Sequence, residues 1–140
     1  MELVPGWPQL NGNANNGGLM NVLVLDDDED LSYALRDILE RHDFRVDCSK
    51  SPKEALQMVK EKPYDLVLLD YVMPENDGVW FMSNAKLPRS TKVLLMTGCL
   101  ERRLINTMFD LGACGYLIKP FDEEELVRNL KFYLPGHISG

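Results

Sequence analysis

Asp26, Asp27, Asp70, Thr97 and Lys119 have the side-chain types for phosphorus chemistry, and each stands at the end of a short apolar run. Asp26 and Asp27 open the acidic part of VLVLDDDED (22–30), Asp70 closes YDLVLLD, Thr97 closes KVLLMT, and Lys119 follows CGYLI. Three carboxylates brought together repel and raise one another's pKa unless a cation sits among them. Mg²⁺, a hard oxygen-seeking ion, fits such a set, because it needs few protein oxygens and keeps positions open for phosphate oxygens. A carboxylate such as Asp70 can attack phosphorus and form an aspartyl phosphate. The metal and the Lys119 ammonium would then neutralise the phosphoryl oxygens, and the Thr97 hydroxyl would donate to one of them. A calcium loop does not fit DDDEDLSYALRD, which lacks Gly at its sixth position and Glu at its twelfth.

These groups can meet only if the chain brings the run ends together, and its two alternating periods do so. NVLVL (21–25), FRVDC (44–48), YDLVLL (64–69), KVLLM (92–96) and CGYLI (114–118) have strand length and are rich in Val, Leu and Ile. Several are apolar almost throughout, the pattern of parallel strands covered on both faces. Between them lie helical segments. The first carries the stripe Leu31, Leu35, Ile38 and Leu39, with Asp30 as expected N-cap; Asp28 and Glu29 belong to the same solvated helix start. The second opens with Ser51 as N-cap and Pro52 at the first helical position. GVWFMSNAKL, LERRLINTMFDLG and DEEELVRNLKFYL supply the third, fourth and fifth. The expected fold is α/β, a doubly wound (βα)5 unit of flavodoxin-like type, with a five-stranded parallel sheet and helices on both faces. Ligands of such sheets bind beyond the carboxyl ends of the strands, which is where the five chemical groups stand.

At 140 residues, 45% hydrophobic and 26% charged, the chain has room for one core and no second domain. The formal net charge of -7 argues against direct nucleic-acid binding, which depends on clustered Lys and Arg. No apolar run reaches the ~20 residues of a membrane span and no secretory signal opens the chain, so no membrane association and a cytoplasmic location are expected. Cys48, Cys99 and Cys114 lack metal-type spacing and read as reduced thiols, Cys48 and Cys114 as small core residues. Residues 1–20, rich in Asn, Gly and Pro, read as a flexible leader or tag-like extension, 21–134 as the folded domain, and 135–140 as a tail.

The set VLVLDDDED, YDLVLLDYVMPENDG, VLLMTG and GACGYLIKPF, in this order and over residues 20–134, resembles the receiver domain of two-component response regulators. The resemblance implies that Asp70 accepts a phosphoryl group from a sensor histidine kinase or a phosphotransfer protein. It implies that Asp27 and Asp70 bind Mg²⁺ with the Val72 backbone carbonyl, that Asp26 assists, and that Thr97 and Lys119 hold the phosphoryl oxygens. Tyr116 would be the aromatic switch residue, the Lys119–Pro120 bond would be cis, and Val72 and Cys99 would tune the phosphoryl lifetime. Neither of these last two side chains can act as a base, so slow loss of phosphate is expected. The chain would be a signalling receiver, its only chemistry being transfer to and loss from Asp70. Its fourth helix, fifth strand and fifth helix would form the output surface, with a homodimer through that surface left open. One departure bears on this: GACGYL stands where DNA-binding regulators read GADDYL, so Cys114 and Gly115 cannot supply the charge pairs of that subfamily's dimers.

Two other readings remain. Asp26-Asp27-Asp28 also satisfies the D-x-D of haloacid-dehalogenase-type phosphatases, but Asp30 replaces the Thr or Val expected next and a cap domain hardly fits. A pseudo-receiver used only for interaction is opposed by the intact Asp27, Asp70, Thr97 and Lys119.

Overall fold

The computed structural model describes residues 19–71, 73, 77–98 and 101–136. In chain order these form β1 (Met20–Leu25), α1 (Glu29–Arg41), β2 (Phe44–Ser49), α2 (Pro52–Glu61), β3 (Leu66–Asp70), α3 (Asp77–Ala85), β4 (Lys92–Thr97), α4 (Arg102–Asp110), β5 (Gly115–Ile118) and α5 (Glu123–Tyr133). The five strands make one parallel sheet in the order β2-β1-β3-β4-β5. The expected doubly wound α/β fold is thus present, and the winding reverses between β1 and β3.

Strand alternation divides the interior in two. Leu23, Leu25, Val67, Leu69, Val93 and Leu95 pack with Ala55 and Val59 of α2, Phe81 and Met82 of α3, and Ile105 and Met108 of α4. Their sequence neighbours Val22, Val24, Leu66, Leu68, Leu94 and Met96 face the other way, onto Leu35 and Leu39 of α1 and Leu126 and Leu130 of α5. Burial on both faces explains why β1, β3 and β4 read as unbroken apolar runs.

Helix starts follow the local chemistry. Ser51 caps α2, its side chain accepting from Glu54 N, with Pro52 in the first turn. Asp122 caps α5 in the same way, accepting from Glu125 N at 2.9 Å. For α1 the cap is Asp28 rather than Asp30: Asp28 Oδ1 accepts from Leu31 N at 3.1 Å, and Asp30 lies inside the first turn. Any acid of the run could have capped; the end of β1 at Leu25 selects the one three residues on. α1 and α5 are also tied at the surface, where Glu123 accepts from both Arg41 terminal nitrogens at 3.1 and 3.2 Å and lies 3.3 Å from His42 Nε2.

The thiols correct an expectation. Cys48 is only half-buried and Cys114 is exposed, so neither is a core residue. Cys114 precedes an edge strand whose alternate residues Gly115 and Leu117 turn inward, while Tyr116 and Ile118 turn out. No helix is long and apolar enough to cross a membrane among the described residues.

Candidate functional site

β1 and β3 run side by side, Leu25 opposite Leu69, so the residues that follow emerge together at the carboxyl edge. Asp26 is 1% exposed and fixed from three sides. Its backbone N–H donates to the Ser49 carbonyl at 3.1 Å, its Oδ1 accepts from Asp28 N at 2.8 Å, and its Oδ2 accepts from Lys119 Nζ at 2.9 Å. Asp70, the last residue of β3 rather than the first after it, is 5% exposed. Asp27 is exposed beside them. One carboxylate oxygen from each of Asp26, Asp27 and Asp70 lies within 4.8 Å of the others.

Lys119 follows β5 and brings an ammonium to this constellation, the one paired with these carboxylates among the described residues. Its Nζ lies 2.9 Å from Asp26 and 3.4 Å from Asp70. Burial alone would lower its pKa, but the hydrogen bond to Asp26 and the charges of Asp70 and Asp26 outweigh that, and the pKa is raised. The lysine therefore stays charged. Its backbone is held as well: Lys119 N–H donates to the Thr97 carbonyl at 2.6 Å, and the Lys119–Pro120 bond is cis. Thr97 ends β4 fully buried, opposite Ile118 in the register.

Three strand ends, those of β1, β3 and β5, thus bring together Asp26, Asp27, Asp70 and Lys119, with Thr97 closing β4 between β3 and β5. Tyr116 is elsewhere: it is 41% exposed on the outer side of β5, its ring 6.3 Å from that of Phe109 on α4. Val72 and Cys99 lie outside the described residues. The sequence placed Lys119 at the same sheet edge as Asp26, able to offset its charge and to hold an incoming phosphoryl group, but did not reveal the specific hydrogen bond from Lys119 Nζ to Asp26 Oδ2. The two are 93 positions apart, and no spacing rule links them until the strand order is known. The backbone N–H of Asp28, which holds Asp26 in place, was likewise hidden in what read as a simple helix start.

The donor set suits a divalent cation. Two buried carboxylates and one exposed one offer hard oxygens from one side, and the exposed Asp27 marks the open side at which water or phosphate oxygens could complete the shell. A single ammonium against three carboxylates leaves negative charge that a divalent ion would offset.

The comparisons with known proteins agree with this geometry. A family model described as the response regulator receiver domain matches residues 22–131. The chain is 32% identical over 113 residues to the transcriptional regulatory protein ResD of Bacillus subtilis, covering 81% of this chain and 47% of that protein. It is 29% identical over 113 residues to SrrA of Staphylococcus aureus, with the same coverage of 81% and 47%. The chain therefore spans about half the length of the curated relatives it matches. Among solved structures, a CheY-like receiver domain protein from Methanospirillum hungatei superposes with a TM-score of 0.79 at 25% identity, covering 85% of this chain and 96% of that one. A two-component response regulator from Clostridium difficile gives a TM-score of 0.77 at 26% identity, covering 86% and 99%.

Proposed function

The chain belongs to the receiver-domain family of two-component response regulators, and from that premise we propose that it is a phosphoacceptor whose Asp70 takes a phosphoryl group from a sensor histidine kinase or a phosphotransfer protein. The observation that carries this reading is the meeting of Asp26, Asp27 and Asp70 oxygens within 4.8 Å, with the Lys119 ammonium reaching two of the three residues. An Asp70 carboxylate oxygen attacks phosphorus as the bond to the donor's histidine nitrogen breaks, leaving an acyl phosphate and a neutral imidazole. Lys119 neutralises charge on the phosphoryl oxygens, and the Thr97 hydroxyl donates to one of them. Asp26 holds Lys119 in position for that role. Asp26, Asp27, Asp70 and the Val72 carbonyl would hold Mg²⁺, which supplies charge neutralisation for the transferring group.

Phosphorylation draws Thr97 toward the new oxygens, and Tyr116 turns from its exposed position into the space released. The two packings form a population that the phosphoryl group biases. The face formed by α4, β5 and α5 then carries the output, including any homodimer. The relatives are named as transcriptional regulators, and the acidic chain described above would leave contact with DNA to another segment. Val72 and Cys99 offer no base to water attacking the acyl phosphate, so the phosphorylated state is long-lived. The chain works as a signalling receiver in the cytoplasm rather than as an enzyme acting on a separate substrate.

Incubation with acetyl phosphate and Mg²⁺ followed by intact-mass measurement tests the reading. One phosphoryl group is expected on the wild-type chain and none on Asp70→Asn. No gain, or a gain that survives in Asp70→Asn, would overturn the assignment.

A further inference from the structure

At the amino ends of β4 and β5, the opposite end of the sheet from the carboxylates, a cavity of about 340 Å³ lies between the loop entering β4 (86–91) and the turn from α4 to β5 (111–114). Its wall is apolar where Met82, Leu87 and Leu111 meet the base of the sheet. Arg89 and Lys92 are its charged residues, and no Asp or Glu lines it. Neither cation has a carboxylate within 4.0 Å among the described residues. In a chain of net charge -7 this is a local reversal of sign. The Cys114 thiol also lines the cavity, donating to the Val93 carbonyl at 3.3 Å.

We propose that this cavity binds a small amphipathic organic anion, its apolar body seated on Met82, Leu87 and Leu111 and its acid oxygens held by Arg89 and Lys92. The volume falls in the range of small-molecule sites, and an apolar wall with a few convergent polar groups is their usual composition. Cations with no carboxylate partner among the described residues select an anion over a cation of equal size, since charge-assisted hydrogen bonds form only with the former. The site shares no residue with the carboxylate cluster, so it stands or falls apart from the phosphoacceptor reading.

Octanoate is a suitable probe, with octylammonium as its cationic counterpart. Titration of the full chain, followed by ¹H–¹⁵N NMR, should move amides in 86–93 and 111–115 saturably with octanoate and not with octylammonium. The Arg89→Gln/Lys92→Gln double variant should bind octanoate about tenfold more weakly, the loss of roughly two modest charge contacts, and Asp70→Asn should bind it as wild type does. Shifts elsewhere, equal binding of octylammonium, or unchanged affinity in the double variant would overturn the proposal. The wild-type chain gives a second readout that needs no substitution at the cations. Saturating octanoate should slow iodoacetamide alkylation of Cys114, mapped by peptide mass, several-fold while leaving Cys48 unaffected; an unchanged Cys114 rate would also refute it.

Discussion

Asp26 and Asp70 are nearly fully buried, and both depend on the ammonium of Lys119. Removing either kind of charge should therefore move stability in opposite directions. In EDTA, Asp70→Asn relieves like-charge repulsion and is expected to stabilise the fold by about 1 kcal/mol. Lys119→Met leaves two buried carboxylates facing each other and should cost about 3 kcal/mol. Urea denaturation of the two variants measures both, and equal signs would refute this account of the cluster. A second pair, the buried Tyr64 with the partly exposed Asp47, has a pH signature. The Tyr64 hydroxyl donates to Asp47 Oδ2 at 2.7 Å, and Lys62 lies 2.8 Å from the same oxygen. Burial chiefly, then the Asp47 hydrogen bond, raises the Tyr64 pKa. Because the folded pKa is above the unfolded value, this stabilisation is complete below about pH 10, the ordinary phenol value, and declines as the pH rises further. Tyr64→Phe should cost about 1 kcal/mol at pH 7, and its deficit against wild type should narrow above pH 10 in urea melts.

At the scale of elements, the C-terminal end of α5 is fitted to β5 through a missing side chain. A Cβ on Gly115 would collide with the Tyr133 hydroxyl and ring and come within 3.1 Å of Leu94 Cδ2. Burial, with smaller contributions from Cys114 and Tyr116, raises the Tyr133 pKa. Gly115→Ala should push Tyr133 off the strand, lower its phenol pKa toward the ordinary value in a spectrophotometric titration, and cost about 1–2 kcal/mol by overpacking. The elements themselves were legible in the sequence wherever one signal dominated. β1, β3 and β4 are apolar because both faces are covered, and Ser51-Pro52 marks the start of α2 without competition. The N-cap of α1 was misplaced because several adjacent acids could each serve, and only the strand end chooses among them. Cys114 was misplaced for a related reason: its apolar neighbours do not reveal which side of an edge strand it takes. Among the site residues, Asp26, Asp27, Asp70 and Lys119 were found as strand-end groups, whereas the Asp26–Lys119 bond became visible only once β5 was placed at the far edge of the sheet.

For the whole molecule, a ligand that binds only the folded state stabilises every element at once. If the carboxylate cluster holds Mg²⁺, an ion concentration of ten times Kd should add about 1.4 kcal/mol to the unfolding free energy. That corresponds to a rise of several degrees in Tm for a domain of this size. The rise should disappear with EDTA and be much reduced in Asp27→Asn; a Tm indifferent to Mg²⁺ would argue against the ion's place there. Quenching of Trp80, 37% exposed on α3, should follow the same binding curve.

The strand order also fixes what the sheet exposes sideways. β2 and β5 are its two edges, each with backbone donors and acceptors that could template another strand. β5 is four residues long and is followed by Lys119 and then Pro120, which has no N–H to offer. β2 carries the exposed Arg45 and the partly exposed Asp47 in its middle, so a stacking chain would have to bury charge. A sheet with so much Val and Leu is an aggregation hazard if its margins are open. Here one margin is cut short and the other is charged, which directs any self-association away from strand pairing and toward the helical surfaces.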